Sequence, residues 1–357
     1  MSTNFKAIPT NLITGFLGSG KTTAILQLLK SRPAGSRWAV LVNEFGDIGI
    51  DGALLEQNQV KEGAFIKEVP GGCICCAAGL PLQMALNLLI KQADPQRILI
   101  EPTGVGHPLK VVETLTGEFY AKVLDLRATI CLVEAKRLRD KRYLNNETFR
   151  DQLNIADVLL ASKCDLTSEA EKNYFFEFTQ QFSLPKAHVE CIEHGVFASK
   201  LLDIPRDPQR EAVYPNAHPY KTGHKHDEPC HEDSHAHSHQ ENAGQCEVSD
   251  DSEEMACDWR RFENNGQDYY GCGWIFKANI LFDEQCLMKW ANNQNFTRVK
   301  GIFRTESGWI VINRMDDQIS REESSYTSDS RVELIEPVYH DWNLVEQELV
   351  HCIVRYL

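Results

Sequence analysis

Short apolar runs alternate with amphipathic stretches through the first half of the chain. Apolar runs bounded by turn residues are typical of buried strands, and the longer stretches between them are typical of crossover helices. The predicted strands are Asn11–Thr14, Trp38–Asn43, Arg97–Glu101, Ala128–Glu134, Val158–Lys163 and His188–Ile192. The predicted helices are Lys21–Lys30, Leu80–Gln92, Leu109–Thr116, Asn145–Ile155 and Glu169–Phe182. This pattern predicts a three-layer α/β domain over residues 1–205, with a mostly parallel sheet.

The pattern stops after Pro205. Residues 206–262 are polar, acidic and rich in histidine, and we expect a largely disordered linker because such a segment buries too little apolar surface to offset its ordering entropy. Apolar periodicity resumes near Tyr269, and residues 263–357 predict a small α+β domain. Its predicted elements are strands Val299–Thr305, Gly308–Asn313 and Arg331–Ile335 and helices Phe282–Asn292 and Trp342–His351.

Charge and cysteine content exclude several classes of function. The net charge is −14, of which −10 belongs to Thr222–Asp258, and no cluster of Lys and Arg suits a nucleic acid. No apolar run is long enough to span a membrane, and the N-terminus lacks the apolar stretch of a signal peptide, so we expect a cytoplasmic protein. In that compartment the 12 cysteines do not predict a disulfide framework, and Cys272, Cys286 and Cys352 are expected to be packed thiols.

The segment from Gly15 to Thr23 fits the pattern G-x-x-x-x-G-K-[ST] between a predicted strand and a predicted helix. In this context glycines let backbone N–H groups converge on phosphate oxygens at a helix N-terminus. Lys21 would neutralise the β- and γ-phosphates, and the Thr22 hydroxyl would bind Mg²⁺. The predicted phosphate-binding residues are Gly15, Gly18, Ser19, Gly20, Lys21, Thr22 and Thr23.

Ser162, Lys163 and Asp165 follow an apolar strand, where an N-K-x-D loop reads guanine in GTPases. An Asp carboxylate accepts hydrogen bonds from guanine N1–H and the 2-amino group, which adenine does not present. Lys163 would lay its stem along the base. Ser162 stands where that loop usually has Asn, so this position leaves the strictness of GTP over ATP selection open.

Two acidic residues at strand ends complete the predicted nucleotide site. Glu101 ends an apolar strand in the position of the carboxylate that holds the Mg²⁺ shell or orients the attacking water. Glu44 follows the second strand, where a loop senses the γ-phosphate in GTPases. With Lys21 and Thr22, these two glutamates are the predicted catalytic residues.

Cys73, Cys75 and Cys76 lie within four residues, after two glycines. Three thiolates at this spacing suit Zn²⁺ and leave one coordination position open to water, to Glu44 or to a receiving protein. Three buried thiols and a redox dithiol are the alternatives. A further predicted metal ligand is Thr22, whose hydroxyl would bind Mg²⁺ at the nucleotide.

Seven of the twelve histidines lie between His218 and His239. Flexible imidazoles at short spacing collect Zn²⁺, Ni²⁺ or Cu²⁺ without fixed geometry, so the segment could buffer metal near the cysteine motif. A solvated acidic linker with incidental histidines is the alternative.

Four motifs in order resemble those of the CobW-type GTPases, a family of metallochaperones that includes bacterial zinc-binding GTPases. They are the phosphate loop Gly15–Thr23, Asn43-Glu-Phe-Gly, Gly72-Cys-Ile-Cys-Cys and Glu101-Pro-Thr-Gly. The resemblance extends over nearly the whole chain, since the region after Tyr269 is similar to the family's C-terminal domain. It implies GTP hydrolysis coupled to delivery of a metal, usually Zn²⁺, through the Cys-x-Cys-Cys site.

The sequence therefore predicts a GTPase that binds GTP, Mg²⁺ and Zn²⁺, with Co²⁺ or Ni²⁺ as alternative metals, and passes the metal to a client protein. Turnover should be slow, roughly 10⁻⁴–10⁻² s⁻¹, because no arginine finger can be assigned. A homodimer is compatible with the sequence, and neither nucleic acid nor membrane is an expected partner. The alternatives are a zinc storage or sensing protein that keeps nucleotide as a structural ligand, and a P-loop kinase or ATPase.

Overall fold

The computed structural model describes residues 6–42, 50, 64–68, 80–215, 258–265, 269–293, 295–325 and 328–356. The chain divides into two compact units, residues 1–217 and 218–357, and each is described by itself. Within these described ranges no helix has the length and apolar character needed to cross a membrane.

The first unit is built on a parallel sheet with the strand order β3-β2-β4-β1-β6-β7-β8, and β5 also pairs with β1. Its strands are β1 (Ile8–Thr14), β2 (Trp38–Val42), β3 (Ala64–Glu68), β4 (Arg97–Glu101), β5 (Leu124–Leu126), β6 (Ile130–Glu134), β7 (Val158–Ser162) and β8 (His188–Cys191). Its helices are α1 (Lys21–Ser31), α2 (Leu80–Ala93), α3 (Pro108–Thr116), α4 (Lys141–Leu144), α5 (Glu147–Ile155) and α6 (Glu169–Thr179). Short 3₁₀ helices lie at Ala135–Arg139, Cys164–Leu166 and Ser199–Asp203.

Alternation along the strands distributes the core over both faces of this sheet. Leu12 and Ile100 face one side, where they join apolar residues of α2 and α3. Ile13 and Leu99 face the other side and join Ala24, Ile25 and Leu28 of α1. The α/β fold predicted from the sequence, with helices on both faces of a parallel sheet, is confirmed.

Parallel pairing brings the carboxyl ends of the strands to one edge of the sheet. Glu101 at the end of β4 lies in register with Val42 at the end of β2, and Val42 with Glu68 at the end of β3. On the other side of β1, Glu134 lies in register with Ser162. Ligands bind at this edge in open α/β sheets, near the point where the strand order reverses, which here is beside β1.

The second unit is mostly antiparallel, with the strand order β14-β13-β12-β15-β10-β9, while β11 pairs with both β12 and β16. Its strands are β9 (Trp259–Asn265), β10 (Tyr270–Phe276), β11 (Ile280–Phe282), β12 (Arg298–Thr305), β13 (Gly308–Met315), β14 (Gln318–Ser324), β15 (Ser330–Glu336) and β16 (Ile353–Tyr356). Its helices are α7 (Glu284–Ala291) and α8 (Trp342–Val350). Leu287, Trp342 and Leu349 from these helices share one apolar core with Trp274 and Phe303 of the sheet.

The cysteines of the second unit differ in part from expectation. Cys272 is a buried free thiol, as predicted. Cys286 and Cys352 are joined by a disulfide, so their prediction as packed thiols is wrong. The disulfide joins α7 to Cys352, which lies two residues beyond the end of α8. The two cysteines are 66 residues apart in sequence, so no local pattern indicates this contact.

Ordered structure extends into both ends of the segment 206–262. Arg210 is buried and donates to Oδ1 of Asp157 at 3.0 Å, which fixes this stretch on the first unit. At the other end, β9 begins at Trp259. The acidic and histidine-rich stretch between these ends, residues 216–257, lies outside the described residues, so its predicted disorder stays a prediction.

Glu336 is a fully buried carboxylate in the second unit. Its two oxygens accept the N–H of Thr297, each at 2.9 Å, and Oε1 accepts the N–H of Arg298 at 3.3 Å. Burial raises its pKa to about 7, although these hydrogen bonds and the Arg314 charge act in the opposite direction.

We therefore expect Glu336 to lower the free energy of unfolding as pH rises from about 4.5 to 7, since the unfolded chain ionises first in this range. The variant Glu336→Gln carries no such charge. The free energy of unfolding of the variant minus that of wild type should increase by about 2–3 kcal/mol between pH 5 and pH 8. Urea unfolding followed by tryptophan fluorescence measures this difference. Glu323→Gln, at an exposed carboxylate, is the matched control, and a flat difference for both variants contradicts the prediction.

Candidate nucleotide-binding site

The turn from β1 into α1 has the backbone of a phosphate loop. Gly15, Gly18 and Gly20 have φ values of 142°, 73° and 88°, a region that disfavours other residues. A Cβ on Gly15 would lie 2.4 Å from the carbonyl oxygen of Leu132 and 2.6 Å from Ser19 Oγ. The N-cap of α1 is Gly20, which has no side chain to cap the helix, and the N-terminus of a helix suits an anionic ligand.

The side chain of Lys21 folds back onto the phosphate loop. Its Nζ donates to the carbonyl of Gly15 at 2.9 Å and to that of Phe16 at 3.4 Å, and the residue is 8% exposed. The ammonium is thus held inside the loop, where a phosphate would replace part of these contacts.

Thr22 and Glu101, predicted separately from two motifs, lie side by side. Thr22 Oγ1 donates to Glu101 Oε1 at 3.0 Å, which joins the first turn of α1 to the end of β4. A hydroxyl and a carboxylate at this spacing are oxygen donors of the kind that Mg²⁺ takes. The donor set fits the predicted cation.

Two further hydroxyls are buried at the same edge. Ser19 Oγ and Thr103 Oγ1 have no hydrogen-bond partner among the described residues. Burying an unpaired hydroxyl costs about 1–3 kcal/mol, so such atoms are usually satisfied by a bound group. Ser19 was predicted as a phosphate-binding residue, whereas Thr103 was not, although it lies two residues beyond Glu101.

The loop after β4 lies directly on the phosphate loop. A Cβ on Gly104 would lie 2.8 Å from the backbone nitrogen of Leu17 and 3.0 Å from its Cα. On its other side, Gln152 Nε2 donates to the carbonyls of Gly104 at 3.0 Å and Gly106 at 3.2 Å. The two loops are therefore packed backbone to backbone, and movement of one requires movement of the other.

Arg137 supports the phosphate loop, and sequence reasoning missed it. Its buried guanidinium donates to the carbonyl of Leu17 and, at 3.3 Å, to Oε1 of Glu134, and it lies 4.7 Å over the ring of Tyr143. The only available signal was an acid at a strand end followed by a basic residue three positions later, which has no specificity.

Glu134 also holds the loop that follows β7. Lys163 has a left-handed backbone, with φ 57°, and its Nζ lies 2.5 Å from Glu134 Oε1. Burial raises the pKa of Glu134, but the charges of Arg137, Lys163 and Lys136 outweigh this effect and keep the pKa below its ordinary value. The ammonium of Lys163 is thus fixed to β6.

Asp165 lies at the same loop and is partly exposed, while Ser162 is buried with its hydroxyl unpartnered among the described residues. His194 Nδ1 lies 3.9 Å from Asp165 Oδ2. The next residue, Gly195, has φ 73°, and a Cβ there would lie 3.0 Å from the backbone nitrogen of Ala24. The loop after β8 therefore closes the space between Asp165 and α1.

The remaining predicted site residues lie outside the described residues. These are Glu44, Cys73, Cys75 and Cys76, together with the histidine-rich segment. Elsewhere, across the ranges that the structure describes, no group of three His, Cys, Asp or Glu side chains is arranged to hold a metal ion. β2 and β3, the described strands that precede Glu44 and the cysteines in the sequence, end in register beside β4.

The site consists of a strand, a glycine loop and a helix, and a threonine contacts a strand-end carboxylate. These features define a P-loop nucleotide-binding protein. The nucleotide-binding domain of the CobW/HypB/UreG family matches residues 9–187, and the chain belongs to this family.

Curated relatives agree with this assignment. The chain is 42% identical over 342 residues to the zinc chaperone YeiR of Escherichia coli, which spans 96% of this chain and 97% of that protein. It is 34% identical over 172 residues to the zinc chaperone YjiA of the same organism, over 46% of this chain and 52% of that protein. The crystal structure of Zn(II)-bound YjiA GTPase from E. coli aligns with 97% of this chain and 99% of that chain, at a TM-score of 0.41 and 17% sequence identity.

The close contact between Gly104 and Leu17 predicts that Gly104→Ala displaces the phosphate loop. Nucleotide affinity should fall about tenfold or more, since 1.4 kcal/mol of distortion suffices for that loss. Titration with a fluorescent guanine nucleotide measures the change. Gly35→Ala is the control: its φ of 73° makes the change strain its own turn, but a Cβ there meets no atom within 4 Å, so its nucleotide affinity should equal that of wild type. Unchanged affinity of Gly104→Ala would show that the loops are independent.

Proposed function

We propose that this chain is a GTP-hydrolysing zinc metallochaperone that binds Zn²⁺ through Cys73, Cys75 and Cys76 and transfers it to client proteins. The observation that carries this proposal is the contact of Thr22 with Glu101 at the end of β4, beside the ends of β2 and β3. In the sequence, Glu44 follows β2 by two residues and Cys73 follows β3 by five. A nucleotide at Thr22 and a metal at the cysteines would thus be bound at the same sheet edge, with β2 between β4 and β3.

The phosphate-binding residues are Gly15, Gly18, Ser19, Gly20, Lys21, Thr22 and Thr23. Lys21 neutralises the β- and γ-phosphates, and the unpartnered hydroxyl of Ser19 gains an acceptor. Thr22 and Glu101 hold Mg²⁺, which would neutralise charge that develops on the phosphates. Glu101 and Glu44 are the proposed groups that position the attacking water.

The described arginine nearest to this loop, Arg137, donates to Leu17 and Glu134. Its charge is therefore used to hold the loop, and we expect slow intrinsic turnover, roughly 10⁻⁴–10⁻² s⁻¹, as in GTPases without an arginine finger.

Asp165 is the proposed guanine-reading residue, with Ser162 and Lys163 in the same loop. The ion pair of Lys163 with Glu134 fixes the loop, so that the carboxylate of Asp165 is presented in a set position. The 3.9 Å separation from His194 leaves this carboxylate without a close ionic partner among the described residues, available to accept from guanine.

Zinc is the proposed cargo because three thiolates suit a borderline cation and because the relatives YeiR and YjiA are named zinc chaperones. Co²⁺ and Ni²⁺ are the alternative metals. Thiolate-bound zinc can be held by ~10–16 kcal/mol, whereas weakening the affinity 10⁴-fold takes only about 5.5 kcal/mol. Loss of one ligand on hydrolysis, such as Glu44, is enough for release.

The proposed setting is the cytoplasm, with a metal-dependent client protein as partner and a homodimer as a further assembly. The net charge of −14 gives no overall attraction to nucleic acid or to anionic membranes.

Replacing Asp165 by Asn tests the guanine assignment. An Asn amide donates to the 2-oxo group of xanthine but repels the 2-amino group of guanine. GTP affinity should fall about tenfold or more, and XTP should become the preferred ligand in competition titrations. Glu169→Gln, at an exposed carboxylate on the neighbouring α6, should leave both affinities unchanged. Equal competition by ATP and GTP in wild type would overturn guanine selection.

Zinc affinity measured with GDP and with a non-hydrolysable GTP mimic tests the coupling. We expect the two affinities to differ by about tenfold or more, because nucleotide and metal would be bound at the same sheet edge, with Glu44 after the intervening strand β2. The triple variant Cys73→Ser, Cys75→Ser, Cys76→Ser should lose the nucleotide-dependent component, while Cys272→Ala, at a buried thiol, should keep it. Equal zinc affinity in both nucleotide states would favour a zinc storage protein that binds nucleotide as a structural ligand.

A further inference from the structure

The disulfide between Cys286 and Cys352 lies at the surface of the second unit. Both cysteines line a groove of about 570 Å³ between α7 and the end of α8. Cys286 is half-buried, and the two Cα atoms are 5.3 Å apart. Cys352 is 1% exposed, as buried as the free thiols Cys131 and Cys272, so small reagents reach the bond from the groove at Cys286.

The same groove is lined by other zinc-binding side chains. His351 precedes Cys352, and Glu348 lies one helical turn before it, and both are exposed and line the groove. Two thiolates, an imidazole and a carboxylate are the donor types that tetrahedral zinc sites combine. Trp290, which is 6% exposed, adds an indole N–H that lacks a hydrogen-bond partner among the described residues. It is a donor available to a bound oxygen ligand in the groove.

The two sulfurs cannot bind zinc while they are bonded to each other. This agrees with the absence of a preformed metal cluster among the described residues. In a tetrahedral zinc site, two sulfurs at ~2.3 Å from the metal lie roughly 3.8 Å apart. A Cα separation of 5.3 Å allows this spacing through side-chain rotation.

We propose that Cys286 and Cys352 form a thiol–disulfide switch that, when reduced, creates with His351 a second zinc site in the C-terminal unit. Two low-molecular-weight thiols reduce the bond, giving two protein thiols and one small disulfide. Zn²⁺ then binds both sulfurs as thiolates and releases two protons. The inference goes beyond the proposed function, because it requires neither nucleotide nor the Cys73–Cys76 segment.

Such a site would be formed in the reduced state, in which a structural disulfide is broken. A small disulfide oxidises the two thiolates to the protein disulfide and is itself reduced to two small thiols, taking up two protons, and Zn²⁺ is released; the reverse exchange restores the site. Disulfides in reducing compartments are mostly transient or redox-sensing, which fits a bond that lines an open groove.

The test uses the full chain with Cys73, Cys75 and Cys76 replaced by Ser, and Co²⁺ as the probe. Co²⁺ bound to thiolate gives an intense near-ultraviolet charge-transfer band. The reduced protein should show this band at one equivalent more of Co²⁺ than the same protein oxidised by a diazenedicarboxamide reagent. Adding Cys286→Ala and Cys352→Ala should remove that equivalent, whereas Cys272→Ala should not.

His351→Ala separates the ligand roles. It should weaken Co²⁺ binding about tenfold while the thiolate band remains, and His188→Ala should have no effect. Cys286→Ala alone, at the half-buried position, provides a second variant if the double variant fails to fold, as judged by circular dichroism. Identical Co²⁺ spectra of the reduced background and its Cys286→Ala derivative would overturn the proposal. Because the background lacks the Cys73–Cys76 thiols, that result would leave the proposed GTP-coupled function standing.

Discussion

The hydrogen bond from Thr22 to Glu101 joins the two structural parts that a nucleotide site needs. One is the N-terminus of α1, placed by β1 and the phosphate loop, and the other is the end of β4, the strand that pairs with β1 on one side. The bond forms because parallel pairing brings both chain segments to the same sheet edge. Gly104 strengthens the link, since its loop lies against the backbone of Leu17 and has no room for a side chain.

Buried charge is concentrated at this edge. Lys21, Glu101, Glu134 and Arg137 are each less than a tenth exposed, and a lone charge at such a depth costs several kcal/mol. These charges have local partners. Lys21 donates to carbonyls of its own loop, and Arg137 and Lys163 form ion pairs with Glu134. A buried pair adds little net stability compared with apolar residues of similar size, whereas loss of one partner leaves an uncompensated buried charge.

Local features were predicted well, and contacts between distant segments were not. β4 has the predicted bounds, and α1 begins at Lys21 as predicted, because an apolar run and a glycine loop are local signals. β3 was missed because only three of its five residues are apolar, on a short edge strand, and β14 because most of its residues are polar. The roles of Glu134 and Arg137 depend on β6 lying beside β1, and the bond of Cys286 with Cys352 depends on two helices meeting. Neither adjacency is encoded in a short window of sequence.

The loop that follows Glu101 is held from two sides, which limits how it can move. Leu17 lies on one side, and α5 lies on the other through Gln152 and through Asp151, whose Oδ2 is 2.7 Å from His107 Nε2. Asp151 Oδ1 also accepts the N–H of Val213 at 2.7 Å, and that residue lies close to the end of the described part of the first unit. Both Asp151 and His107 are almost fully buried, so their contact is not replaced by water without cost. A displacement of this loop must therefore either break these hydrogen bonds or carry the segment at Val213 with it. The network therefore ties the loop after Glu101 to Val213 and Tyr214, near the end of the described part of the first unit.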